Sequence, residues 1–98
     1  MYEPLQVRWT ESANKDIRKI TRFIRKDSPT AALAVATSLY AAGESLNLFP
    51  FKGRVGQIEG TRELVVSGMP DILVYQVTET RVQILHIYHG ARNWPNQQ

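Results

Sequence analysis

Residues 72–88, ILVYQVTETRVQILHIY, contain two runs rich in valine, isoleucine and leucine on either side of a short polar segment. Runs of this composition and length predict two β-strands, at residues 72–77 and 82–88, joined as a hairpin. A third apolar run at residues 62–66 precedes a turn-like segment, SGMPD, at residues 67–71. The last third of the chain therefore predicts three antiparallel strands.

The first half of the chain has a different periodicity. Leu5, Val7 and Trp9 alternate with polar residues, which is the pattern of a half-buried strand. Thr10 or Ser12 can cap a following helix, predicted at residues 11–26, whose apolar positions recur every three or four residues. This predicted stripe consists of Ala13, Ile17, Ile20 and Ile24, with Phe23 beside them.

Ser28-Pro29 predicts the start of a second helix, because proline at the first helical position loses no hydrogen bond. The helix is predicted over residues 30–48, and residues 52–61, with three glycines, have the composition of a loop. The predicted apolar stripe of this helix consists of Leu33, Ala36, Leu39, Gly43 and Leu46.

The predicted order is strand-helix-helix-strand-strand-strand, which belongs to the α+β class. We expect an antiparallel helix hairpin packed on one face of a small, mainly antiparallel sheet, with the other face more open. Ninety-eight residues are enough for one small core, so residues 1–98 are expected to form a single domain. The tail from about residue 93 is expected to be loosely ordered.

Composition excludes several classes of function. The chain has no cysteine, which removes disulfides, thiolate metal sites and cysteine nucleophiles and favours the cytoplasm as its location. No apolar run approaches the length of roughly 18 residues that a membrane span requires, so no membrane association is expected. Neither a phosphate-binding glycine loop nor a pair of histidines at metal-ligand spacing is present, so we expect no cofactor and no metal.

The net charge of +3 is distributed unevenly. Residues 11–27 contain six basic and three acidic residues, and Arg18, Arg22 and Arg25 are spaced to lie on one face of the first helix. A solvated helix face accounts for this pattern, and a surface that contacts phosphate is the alternative.

Candidate chemical groups are concentrated at the end of the last strand. Within ILHIYHGARNWP, residues 84–95, the polar or aromatic side chains are His86, Tyr88, His89, Arg92 and Trp94. Strand alternation places His86 and Tyr88 on one face and His89 on the other. Such groups could cleave RNA, one taking the ribose 2′-OH proton, another protonating the leaving oxygen, and Arg62, Arg81 or Arg92 stabilising the phosphate. Alternatively, His86 and Tyr88 are ordinary strand residues, and Trp94 anchors the tail or meets a partner.

The chain resembles the RelE/ParE superfamily of bacterial toxins along nearly its whole length. The matching segments, in order, are VRWTESANKDIRKI at 7–20, the proline-started second helix, LFPFKGR at 48–54, GTRELVV at 60–66, ILVYQV at 72–77 and ILHIYHGARNWP at 84–95. The resemblance implies a growth inhibitor of a type II toxin–antitoxin module, held inactive by a cognate antitoxin in a hetero-oligomer.

The two branches of this superfamily differ in their target. RelE-like members are ribosome-dependent mRNA endonucleases that carry an arginine immediately before the leucine-valine-tyrosine of the third strand, where this chain has Ile72. An aliphatic side chain cannot bind phosphate, so one element of that nuclease site is missing. ParE-like members poison DNA gyrase through a protein–protein contact, and the ending LHIYHGARNWP is closer to that branch.

These resemblances lead to one preferred function and two alternatives. We expect a gyrase inhibitor that is not an enzyme; a ribosome-dependent mRNA endonuclease and a non-toxic, partner-binding relic are the alternatives. If the chain is a nuclease, its catalytic residues are expected to be His89, Tyr88, Arg62 and Arg92. The residues expected to contact the target or the antitoxin are Arg18, Arg22, Arg25, Arg54, Arg81, His86 and Trp94.

Overall fold

The computed structural model describes residues 3–89. The helices and strands, in chain order, are β1 Gln6–Trp9, α1 Glu11–Arg25, α2 Pro29–Glu44, β2 Arg54–Val55, β3 Arg62–Val65, β4 Ile72–Val77 and β5 Arg81–Tyr88. The five strands form one sheet in the order β1-β5-β4-β3-β2. β1 runs parallel to β5, and every other neighbouring pair is antiparallel. The predicted α+β class and mainly antiparallel sheet are confirmed.

Two of the predicted cap residues, Thr10 and Ser28, cap the two helices. The Thr10 hydroxyl accepts the Ala13 N–H at 3.1 Å at the start of α1, and the Ser28 hydroxyl accepts the Ala31 N–H at 3.1 Å before α2. Thr10, rather than Ser12, is therefore the cap. The second helix ends at Glu44 and is followed by a short 3₁₀ turn, so the predicted helix to residue 48 is too long.

Both predicted apolar stripes face the core, except that Phe23 and Leu33 are exposed. Ala13, Ile17 and Ile20 are buried as expected, but Phe23 is exposed because it lies about 100° around the helix from Ile24. The remaining core residues that are fully buried are Leu39, Leu46, Leu73, Tyr75, Val82 and Ile84. Leu33 is exposed because the alanine-rich α2 buries the neighbouring Ala32 instead.

A single extra residue in β5 changes the strand alternation. Val74 pairs with His86, but the next residue, Tyr75, pairs with Ile84, so Leu85 forms a β-bulge. Because of this bulge, Ile84 and Ile87, three residues apart, both belong to the buried core. In a regular strand they would lie on opposite faces.

The segment predicted as a loop after α2 contains a short strand, β2, which was missed. A buried tyrosine fixes the turn before it: the Tyr75 hydroxyl donates to the Pro50 carbonyl at 2.8 Å and accepts the Gly53 N–H at 2.9 Å. Burial raises the pKa of the Tyr75 hydroxyl above 10.0, although the Gly53 N–H and the Arg62 charge oppose the shift. A two-residue strand has too little periodicity to be recognised in sequence.

Candidate functional site

The end of β5 is bordered by β4 on one side and, on the other, by the start of α1. β1 pairs with β5 only as far as Ile84, and Thr10 follows with a backbone bond to the Ile84 carbonyl and a hydroxyl bond to the Leu85 carbonyl, both at 3.1 Å. Further along, Asp16 of α1 accepts the Ile87 N–H at 3.0 Å. Thr10 and Asp16 thus satisfy the backbone groups of β5 that β1 leaves unpaired.

His86 lies on this border. Its Nδ1 is 3.3 Å from the Asp16 carboxylate, and 46% of its side chain is exposed. His86 pairs with Val74, which in turn pairs with Glu63, so these three residues share one face of the sheet. Since α1 packs on the opposite face with Ile84 and Ile87, His86 lies on the face that the helices leave open.

The two residues at the end of the described chain have different surroundings. Tyr88 is buried and pairs with Ile72 across the sheet. His89 places Nδ1 2.6 Å from the carboxylate of Asp71, which is fully buried, whereas 30% of the histidine side chain is exposed. The carboxylate fixes the orientation of the ring through Nδ1 and leaves Nε2 for another partner.

Arg62 is separated from this histidine-tyrosine pair. It pairs with Tyr75, whereas Val65, three residues further along β3, pairs with Ile72 in the row that contains Tyr88. Arg62 therefore lies about 10 Å away along the strand direction and on the opposite face from Tyr88. Its guanidinium donates to the Gly53 carbonyl at 2.7 Å.

The structure thus brings together only part of the predicted nuclease set. Tyr88 and His89 adjoin each other at the end of β5, with Asp71 as an added partner, whereas Arg62 supports the turn before β2. Arg92 lies outside the described residues, as do Trp94 and the predicted loose tail.

The predicted binding residues are dispersed over the surface. Arg18, Arg22 and Arg25 are exposed on α1, and Arg18 forms a 3.3 Å ion pair with Glu11. Arg81 begins β5 opposite Gln6 at the other end of the strand from His86. A role of these residues in contacting a target or an antitoxin stays a prediction.

Arg54, predicted to contact a target or an antitoxin, is paired with Glu63. Its guanidinium donates two bonds to one oxygen of Glu63, at 2.9 and 3.1 Å, and the Gln57 N–H donates to the other oxygen at 3.1 Å. Glu63 is only 2% exposed, so this carboxylate is buried with its partners. Glutamate within a strand predicts an outward-facing residue, and no sequence signal identifies it as buried.

Two general features of residues 3–89 bear on the class of protein. No helix in this range is long and apolar enough to cross a membrane. The same range contains no group of histidine, aspartate or glutamate side chains arranged to hold a metal ion.

Comparison with known families identifies the protein's relatives. Residues 7–94 match the family model described as ParE toxin of type II toxin-antitoxin system, parDE. The chain belongs to the ParE toxin family. Because this match spans nearly the whole chain, the ParE-family toxin is a type II toxin–antitoxin toxin of the RelE/ParE superfamily.

One individual relative carries a RelE name although the family model is that of ParE. The ParE-family toxin is 37% identical to putative toxin Y4kP of Sinorhizobium fredii over 90 residues, which cover 92% of this chain and 93% of the relative. It is 39% identical to toxin RelE2 of Caulobacter vibrioides over 87 residues, which cover 89% of this chain and 97% of the relative. Names of relatives therefore do not distinguish gyrase from the ribosome as the target.

Solved structures share the fold. The ParE-family toxin superposes on a chain of the chromosomal ParDE toxin–antitoxin system of P. aeruginosa with a TM-score of 0.80 at 22% identity, covering 89% of this chain and 97% of that one. Superposition on a chain of the RelBE2 toxin–antitoxin complex of Mycobacterium tuberculosis gives a TM-score of 0.61 at 26% identity, covering 93% of this chain and 97% of that one.

Proposed function

We propose that this toxin arrests bacterial growth by binding and poisoning DNA gyrase, and that a cognate antitoxin neutralises it. Membership of the ParE family supports gyrase as the target, since ParE-like members are expected to act on it by protein–protein contact. The solved relatives are described as parts of toxin–antitoxin assemblies, which supports an antitoxin partner.

The residue that pairs with Tyr88 across the sheet is the main reason for preferring gyrase to mRNA as the target. It is occupied by Ile72, an aliphatic residue that can neither donate a hydrogen bond nor neutralise phosphate. Arg62 does not replace the missing cation, because it lies on the other face of the sheet and donates to a backbone carbonyl. Stabilising charge on a scissile phosphate contributes a large part of nuclease catalysis, so an aliphatic residue at this position favours a binding function.

The open face of the sheet is where we place the contact with gyrase. A groove of about 350 Å³ on this face is lined by residues from the start of α1, the loop before β3 and the strands β4 and β5. Its lining includes Ile58, Gln76, Leu85 and His86. This mixture of apolar and polar side chains is typical of a protein-binding surface.

A supercoiling assay tests the proposal. Purified toxin should inhibit supercoiling of relaxed plasmid by gyrase, or trap gyrase on cleaved DNA, at micromolar concentration, and added antitoxin should relieve the effect. Unchanged supercoiling at that concentration would contradict gyrase as the target. His86→Ala should weaken the inhibition, whereas Thr37→Ala, which changes an exposed residue of α2 outside the groove, serves as the comparison.

The Asp71–His89 pair favours one second candidate, a ribosome-dependent mRNA endonuclease. A buried carboxylate that fixes one ring nitrogen of a histidine is an arrangement used to orient general bases, and Tyr88 is adjacent. In this case, His89→Ala should abolish mRNA cleavage in a translation extract and Asp71→Asn should reduce it, while His86→Ala should leave it intact. Uncut mRNA with the wild-type toxin would reject the nuclease.

A toxin that has lost its activity but still binds its partner is the remaining alternative, and Ile72 motivates it as well. Expression without antitoxin distinguishes it, since an inactive chain would accumulate in folded form while cells grow normally. In the active case the antitoxin is expected to cover the helix hairpin, where Phe23 and Leu33 expose 65% and 69% of their surfaces.

A further inference from the structure

A second apolar surface lies in the segment between α2 and β2, at the other end of α2 from the turn that joins the two helices. We call it the aromatic turn and define it as Leu48, Phe49, Phe51 and Lys52. Both phenylalanines are 64% exposed, and the segment borders a shallow groove of about 670 Å³. Two exposed phenylalanines in one short turn are unusual for a surface that meets only water.

Hydrogen bonds with Tyr75 and Arg62 fix the backbone of the aromatic turn in one conformation. Tyr75 binds the Pro50 carbonyl and the Gly53 N–H, as described above, and Pro50 and Gly53 are buried. Arg62 donates to the Gly53 carbonyl and places its guanidinium 5.0 Å from the centre of the Phe51 ring. The phenylalanines are therefore presented by a fixed backbone, which lowers the entropy that a partner must remove on binding.

Positive charge accompanies this apolar surface. The Lys52 ammonium donates to the Ser45 hydroxyl at 3.0 Å, and Arg62 donates to backbone carbonyls. Within residues 3–89, neither cation forms an ion pair with a carboxylate. A ligand that supplies carboxylates next to apolar side chains would complement both the charge and the phenylalanines.

We propose that the aromatic turn is a docking site for an acidic, apolar segment of the antitoxin. The segment would pack apolar side chains against Phe49 and Phe51 and place a carboxylate near Lys52. The apolar lining of the groove favours protein over nucleic acid, and interfaces of long-lived complexes are more apolar than those of transient ones. An antitoxin that holds the toxin inactive must stay bound to it, so the inference rests on the antitoxin part of the proposed function and not on gyrase.

Competition binding with the full-length cognate antitoxin tests the site. Phe49→Ala and Phe51→Ala should each weaken antitoxin binding by about 30-fold or more, the effect of removing an aromatic anchor from an interface. Lys52→Glu should weaken it by about tenfold and reduce its dependence on salt. Val65→Ala is the control, because Val65 is 51% exposed on the sheet and should change the affinity less than threefold.

The outcomes separate this inference from the proposed function. If the wild-type toxin binds no antitoxin, the antitoxin part of the proposed function fails, and the docking site fails with it. If the wild type binds but the aromatic-turn variants, with unchanged thermal unfolding, bind within threefold of it, only the docking site is overturned. Loss of growth inhibition or of RNA binding in those variants, with antitoxin affinity unchanged, would also overturn it.

Discussion

Removing the Tyr75 hydroxyl tests the internal support of the turn before β2. Tyr75→Phe deletes the bond to the Pro50 carbonyl at 2.8 Å and the bond from the Gly53 N–H at 2.9 Å. Each lost bond costs about 1 kcal/mol net, and a buried backbone group left without a partner adds about 1–3 kcal/mol. Water that reaches the turn would offset part of this penalty, so we expect a loss of about 3 kcal/mol in the free energy of unfolding.

Urea unfolding followed by circular dichroism measures this loss directly. For a domain of this size, about 3 kcal/mol corresponds to a fall in Tm of roughly 12–24 °C. The m-value should stay constant, because the fold and the area exposed on unfolding do not change. Tyr40→Phe is the matched control, since its exposed hydroxyl bonds Asn14 at 3.2 Å and should contribute less than about 0.5 kcal/mol. A Tyr75→Phe protein within about 0.5 kcal/mol of wild type would refute this account of the turn.

Three further changes probe the packing and the buried groups. Gly43→Ala should destabilise the toxin by about 1–3 kcal/mol in urea unfolding, because the added methyl group overlaps the Trp9 ring; equal stability would show that the ring moves freely. Arg54→Ala should lower the free energy of unfolding by about 2 kcal/mol, because it leaves the buried Glu63 carboxylate with one donor, the Gln57 N–H. This loss is smaller than that for a fully buried ion pair, because the Arg54 side chain is itself exposed. An unchanged urea midpoint would contradict this. Because burial raises the pKa of the Tyr75 hydroxyl, this proton is lost at a lower pH in the unfolded chain than in the folded one. The free energy of unfolding should therefore fall as the pH rises above about 10, and it should fall less steeply in Tyr75→Phe. Parallel pH profiles of the two proteins would contradict the raised pKa.

The order of the helices and of the three long C-terminal strands could be predicted because each has a strong period and clear end signals. Thr10 and Ser28-Pro29 mark helix starts that depend on local chemistry alone. The parallel pairing of β1 with β5 depends on contacts between the two ends of the chain, which no local pattern encodes. The bulge at Leu85 is invisible for the same reason, since it arises from the pairing of β5 with β4.

The buried acidic residues of the candidate site were beyond prediction. Asp71 precedes a strand within a turn-like segment, where an aspartate usually serves the turn, yet the fold buries it against His89. Glu63 is buried because β2, itself missed, brings Arg54 alongside it. In both cases the partner arrives through tertiary structure, whereas His86, Tyr88 and His89 stood out from their residue types alone.

Induction of the toxin in cells, with plasmid topology and protein synthesis followed in the same culture, tests most directly whether gyrase is the target. If gyrase is the target, plasmids should lose negative supercoiling, or accumulate gyrase-linked breaks, before translation declines, and co-induced antitoxin should prevent both changes. An immediate stop in translation with cleaved mRNA and normally supercoiled plasmid would contradict it.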